Sequence, residues 1–193
     1  MFGKVVDYIR SEIRTPYSTL SNLTYLILGI LSWNINVYIA LLMIGIFVGS
    51  TGYHWAHEGH ESWHRADIVA IYYTFAVIAG WLLMGGEGLV IGTIFGLGAH
   101  WSHYYGYSKY SQQIIGIFGM FCLMGFIMQP ENGWLEFASV MCWFGLAFAT
   151  SYIADHVEKV RGKVYDGFHA IWHILSGIGI YDLITTGTPL FFT

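Results

Sequence analysis

Charge is scarce in this chain of 193 residues: Asp, Glu, Lys and Arg make up 10%, whereas 55% of residues are hydrophobic. A soluble domain carries about 25% charged residues, so the composition excludes an ordinary soluble protein and points to a membrane protein. The eight Lys and Arg form no basic stripe, which excludes nucleic acid as a partner. A net charge of -4 excludes little, because the placement of charge matters more than its sum. Cysteine is also nearly missing. Cys122 and Cys142 fall inside apolar runs and read as small buried hydrophobes, not as a disulfide. Residues 1–17 contain no secretory h-region, since Lys4, Asp7, Arg10, Glu12 and Arg14 interrupt them. No internal repeat is evident.

What the chain has instead is a series of apolar runs. They lie near Leu20–Trp33, Val37–Trp55, Ile68–Met84, Leu89–Trp101, Ile114–Met128, Trp134–Ile153 and Phe168–Ile184. Several are shorter than the ~20 residues of a perpendicular span, and flanking Trp, Tyr and His complete them at headgroup level. The reading is an all-α membrane protein, a seven-transmembrane helix bundle over residues 18–193, with short connections and no separate soluble domain. Phe2, Val5, Val6, Ile9 and Ile13 recur at helical spacing, so residues 1–17 are expected to form an interfacial segment. The 24 glycines permit close helix approach, as at Gly85-Gly86 and Gly177-Ile178-Gly179. Asn22-Leu23-Thr24 matches a glycosylation sequon, but its place at the start of a span discounts it.

Seven spans put all eight Lys and Arg on one side: Lys4, Arg10, Arg14, Arg65, Lys109, Lys159, Arg161 and Lys163. The positive-inside rule then makes the N-terminus cytoplasmic and the C-terminus external. Six or eight spans would scatter these charges. The membrane is a bacterial inner membrane or that of the endoplasmic reticulum or Golgi.

The chemistry concentrates in GSTGYHWAHEGHESWHRAD, residues 49–67. Ser50 and His54, four residues apart, share one helix face about 6 Å apart along the axis. Asp67 opens the next apolar run. His169 and His173, again at i, i+4, sit near the start of the last run. An ionisable residue within a span is a functional candidate. Three imidazoles on two helices, with a serine and an aspartate beside them, predict a Zn²⁺ site with an open coordination position. His57, His60 and His64, with Glu58 and Glu61, read as a solvated connection in which a second metal is the alternative. His100, His103, Asp155 and His156 read as helix caps and interface residues, and Glu87, Glu131 and Asp182 as ordinary outer-face residues. Arg65 is expected to meet lipid phosphate.

Ser50-x-x-x-His54, the following Asp67 and the late His169-x-x-x-His173 resemble the pattern of the seven-helix zinc hydrolase superfamily called CREST. That group includes alkaline ceramidases, adiponectin and progestin receptors, hemolysin-III-like proteins and Per1-like lipid remodelling factors. The stretches TPYSTLSNL and FHAIWHILSGIGIY are most similar to the alkaline ceramidases. The resemblance implies that His54, His169 and His173 hold zinc and that Ser50 and Asp67 act beside it. It implies a lipid substrate drawn from the bilayer and hydrolysis of an amide such as that of ceramide. Asp67 is the expected general base and then acid, and Ser50 the expected hydrogen-bond donor to the oxyanion. The chain departs from the animal ceramidases in being shorter than most members and in lacking their acidic, Asn-rich N-terminus, so no calcium is expected. A cytoplasmic N-terminus is the orientation associated with the adiponectin receptor branch. Two alternatives stay open: a receptor or channel-like protein with a structural zinc, and a membrane di-iron desaturase or hydroxylase, although no His-His pair occurs.

Overall fold

The structure, a computed structural model, describes residues 15–55, 60–106, 134–158 and 162–186. Every element in these segments is an α-helix, and among the described residues there is no strand. In chain order they are α1 (Pro16–Ser21), α2 (Leu23–Leu31), α3 (Val37–Trp55), α4 (His60–Tyr104), α5 (Trp134–Glu158) and α6 (Gly162–Thr186). Six of the seven apolar runs coincide with these helices. The fifth, Ile114–Met128, lies outside the described residues, as do Cys122, Glu131, His57 and Glu58. By length and composition α3 and the 62–104 part of α4 are apolar enough to cross a membrane.

The first run is not one helix. Asn22 separates α1 from α2 and is completely buried, which leaves no room for a glycan. The expected boundary after residue 17 falls inside α1. Thr15 and Tyr17 already bond to α3 and α6, so the segment that packs into the bundle begins by Thr15.

The long α4 reverses direction at Gly85, whose φ of 61° and ψ of -134° lie in a region glycine adopts without a β-carbon clash. Gly85 therefore turns the chain, where its sequence context predicts a residue that eases helix approach. The arms 60–84 and 86–104, about 37 and 28 Å long at 1.5 Å per residue, run antiparallel. Gly88, Gly92 and Gly96 form one stripe that meets Gly80, Ala76 and Tyr73 in turn. A β-carbon on Gly88 would overlap the Gly80 carbonyl, and one on Gly92 that of Ala76. Small residues every fourth position let the two backbones touch, the usual device for packing helices without a hydrophobic driving force.

The packing order is α4, α3, the α1–α2 pair, α6 and α5. α1 lies against both α3 and α6, α2 against the same two, and α5 against α6. A core of Tyr25, Ile39, Met43, Ile46, Val77, Ile78, Leu82, Ile180 and Ile184 fills the centre. Polar side chains lie inside with it: Ser18, Ser21, Asn22, Ser50, His54, Asp67, Asp166, His173 and Ser176 are all buried. Asp182 is half-buried and accepts a 2.7 Å hydrogen bond from Ser139 Oγ, joining α5 to α6. Cys142 is unpaired but exposed, not buried as its apolar surroundings predict.

Gly88→Ala should destabilise the protein by about 1–3 kcal/mol through overpacking, read as a drop of roughly 2–10 °C in thermal unfolding in detergent. Gly98→Ala, which meets open space, should not. Equal effects at the two positions would contradict the stripe.

Candidate metal centre

The C-terminal turns of α3 carry Ser50 and His54 on one face, and the N-terminal half of α6 carries Asp166, His169 and His173. The structure brings the three imidazoles together. His54 lies 4.9 Å from His169 and 5.1 Å from His173 between ring centroids, and His169 lies 4.6 Å from His173. One nitrogen from each ring is within 4.8 Å of the other two. Three such atoms lie within about 2.8 Å of a common point, against the ~2.0–2.1 Å of a zinc–nitrogen bond. Small ring rotations close that difference, so the three residues can hold a metal ion.

The orientation of His173 fits this use. Its Nδ1 is 3.0 Å from Ser21 Oγ and 3.3 Å from the Ser18 carbonyl oxygen. The Ser21 hydroxyl donates its one proton to that same carbonyl at 2.8 Å. Both neighbours therefore present only lone pairs, and Nδ1 must carry the ring proton. Nε2 is left as the lone-pair nitrogen; it is buried and has no hydrogen-bond partner. On His54, Nδ1 is 2.8 Å from Thr15 Oγ1. The Thr15 hydroxyl and its backbone N–H both point at the His54 carbonyl, at 3.3 and 3.1 Å.

Ser50 and Asp67 are also buried here. They adjoin because Gly49 lets α3 approach the α4 backbone: a β-carbon there would sit 3.1 Å from the Asp67 nitrogen. Neither Ser50 Oγ nor Asp67 Oδ1 has a hydrogen-bond partner. A buried polar atom without a partner costs about 1–3 kcal/mol. Ser50 Oγ, Asp67 Oδ1 and His173 Nε2 together mark a place built for something polar.

Other predicted residues stay apart. His64 stacks on Tyr53 at 4.7 Å, His103 meets Tyr72 edge-on at 6.0 Å, and His100 lies 6.4 Å from Tyr104. None joins the metal group, which among the described residues consists of His54, His169 and His173. Glu87 is exposed, as expected of an outer-face residue, and so is Arg65. The side chains of His60, Glu61, Asp155 and His156 lie outside the described residues.

Sequence reasoning missed Thr15, Ser18, Ser21 and Asp166. Asp166 accepts hydrogen bonds from Tyr17 N at 3.0 Å, Ser18 N at 2.8 Å and Ser18 Oγ at 2.6 Å. Its signal was position, three residues before His169, but nothing in the spacing shows that its partners lie at the other end of the chain. No family model matches the chain, and no curated protein or solved structure matches it either.

The purified protein should bind one divalent ion per chain, and His173→Ala should abolish that binding, measured as metal content after dialysis. Each imidazole must be neutral to offer a lone pair. Protons therefore compete with the ion, and affinity should fall on acidification. Affinity that rises on acidification would rule out an all-histidine site.

Proposed function

We propose that the protein is a seven-helix intramembrane hydrolase that uses zinc to cleave the amide bond of ceramide or a related N-acyl lipid. The observation that carries this reading is the gathering of three imidazoles at one point beside two buried, unsatisfied groups, Ser50 and Asp67. Three histidines leave a tetrahedral ion one open position, whereas a metal that only staples helices is closed by four protein ligands. The described group has three, which favours chemistry over a structural zinc. A di-iron oxidase needs a larger ligand set than this one. The resemblance of TPYSTLSNL and FHAIWHILSGIGIY to the alkaline ceramidases supplies the substrate class and the bond.

The exterior supports a lipid setting. Ile94, Trp101 and Phe148 are 62, 66 and 74% exposed, while the polar residues named above are inside. Exposed apolar surface on this scale marks contact with a membrane or a partner. With the N-terminus cytoplasmic, the site opens toward the cytoplasmic leaflet, so that a lipid enters sideways with its acyl chain still in hydrocarbon.

Zinc held by His54, His169 and His173 would supply Lewis acidity, making a water there far more acidic than it is in bulk. Asp67 is placed to take a proton from the attacking water and to return it to the departing amine nitrogen, as base and then acid. Ser50, one turn from His54 on the same face, donates a hydrogen bond to the oxygen that gains charge as the amide carbonyl is attacked. Burial keeps both groups in a low-dielectric setting, where a fixed donor acts more strongly than it does in water.

The test is a panel of labelled lipids incubated with purified protein, with and without a zinc chelator. Cleavage of an N-acyl lipid, lost with chelator and restored by Zn²⁺, is expected. Ser50→Ala should reduce the rate about 100- to 1,000-fold, and Asp67→Asn about 100- to 10,000-fold, with zinc content unchanged. A chelator-insensitive rate, or no cleavage of any lipid by zinc-loaded protein, would overturn the reading.

A further inference from the structure

The first helix contributes no metal ligand, yet the segment it begins touches two of the three. α1 and α2 lie between α3 and α6, and their polar residues face α6 in register. Ser18 meets Asp166, Ser21 meets His173, and Tyr25 meets Ser176 at 2.7 Å. Ser176 Oγ donates to the Trp172 carbonyl at 2.7 Å, so Tyr25 is the donor in that last pair.

The capping of α1 is rearranged in a way that serves this contact. Pro16 occupies the first helical position, where a missing N–H does no harm. Thr15 stands at the N-cap, where its hydroxyl would ordinarily accept from the next free N–H groups. It makes no such bond; the hydroxyl lies against His54 instead. The Tyr17 and Ser18 N–H groups are satisfied by the Asp166 carboxylate, which reaches across from α6. Thr15 is thus released to orient one histidine, and Asp166 fixes the turn whose Ser18 carbonyl and Ser21 hydroxyl orient another.

We propose that Thr15, Ser21 and Asp166 are positioning residues for the metal ligands. Thr15 and Ser21 hold His54 and His173 in the Nδ1–H tautomer, aiming both Nε2 lone pairs at the common point, and Asp166 acts through α1. The proposal rests on the metal-centred reading above. Partners of this kind behind a ligating histidine set its tautomer and basicity, and their loss typically weakens metal affinity about 10- to 100-fold.

The experiment pairs zinc affinity, from competition with a chromophoric chelator, with the nitrogen-15 shifts of the histidine rings in metal-free protein. Wild type should show His173 protonated at Nδ1 and bare at Nε2. Ser21→Ala and Asp166→Asn should each bind zinc about 10- to 100-fold more weakly and show His173 as a tautomer mixture. Ser21→Thr, which keeps a hydroxyl, should restore both. A change confined to packing would lower the melting temperature without moving the tautomer, and that result would overturn the proposal. Wild-type affinity in Ser21→Ala, or a proton on Nε2 of His173 in wild type, overturns it while leaving the metal site standing. The wild-type shifts decide the matter even if both variants fail to fold. A wild type that binds no zinc brings down this inference and the hydrolase reading together.

Discussion

One carboxylate, Asp166, accepts three hydrogen bonds from a single turn of α1, and the arrangement of the histidines follows from that contact. Its partners, Tyr17 and Ser18, are 149 and 148 residues away in the chain, so the bond closes the bundle between its first and last described helices. A buried carboxylate is expensive unless its lone pairs are occupied, and here two amides and a hydroxyl occupy them. The arrangement answers both needs at once, since the Tyr17 and Ser18 N–H groups of α1 and the Asp166 oxygens are satisfied by each other. α3 and α6 then meet across α1 through His54 and His169. The metal group is where two helices that scarcely pack on each other are joined by side chains.

The same logic governs the rest of the bundle. Many polar side chains are inside it, while the exposed surface is rich in Leu, Ile, Val, Phe, Trp and Tyr. Close packing and internal hydrogen bonds both join the helices. The α4 hairpin supplies the first, through the Gly88, Gly92 and Gly96 stripe. Hydroxyl contacts supply the second at regular intervals: Tyr38 with Thr93 at 3.0 Å, Tyr25 with Ser176 at 2.7 Å, and Ser139 with Asp182 at 2.7 Å.

Much of the site was legible in sequence because ligands four residues apart on a helix must share a face, whatever the helix packs against. Ser50 with His54, and His169 with His173, needed only that geometry, and Asp67 only its place at the start of the next run. The supporting residues were not legible for the opposite reason. Thr15, Ser18 and Ser21 look like ordinary N-terminal turn residues, and their function depends on contacts with α3 and α6 that local spacing does not encode. Asp166 looks like one more charge near a helix start. Gly85-Gly86 reads as a packing feature because a doublet does not reveal which glycine needs a positive φ. The Ser139 partner of Asp182 was not legible because it lies on another helix. Cys142 reads as buried because an apolar run says nothing about which face of its helix is left exposed.

The two edges of the imidazoles are treated differently. On the α1 side, the Nδ1 atoms of His54 and His173 have oxygen neighbours at 2.8 and 3.0 Å. Elsewhere in the site, His173 Nε2, Ser50 Oγ and Asp67 Oδ1 are buried with no hydrogen-bond partner. Each such atom costs about 1–3 kcal/mol, against about 5–15 kcal/mol for the stability of a whole domain. Atoms of the same kind also occur at Asn22, Thr51, His100 and His103, so it is their company with the three imidazoles that distinguishes these. The asymmetry suits the proposed site: the side facing α1 has oxygen neighbours at hydrogen-bond distance, and the side that would face an ion is left unsaturated. Removing the saturated side would leave the three histidines in sequence and in roughly the same place, yet free to turn their lone pairs elsewhere.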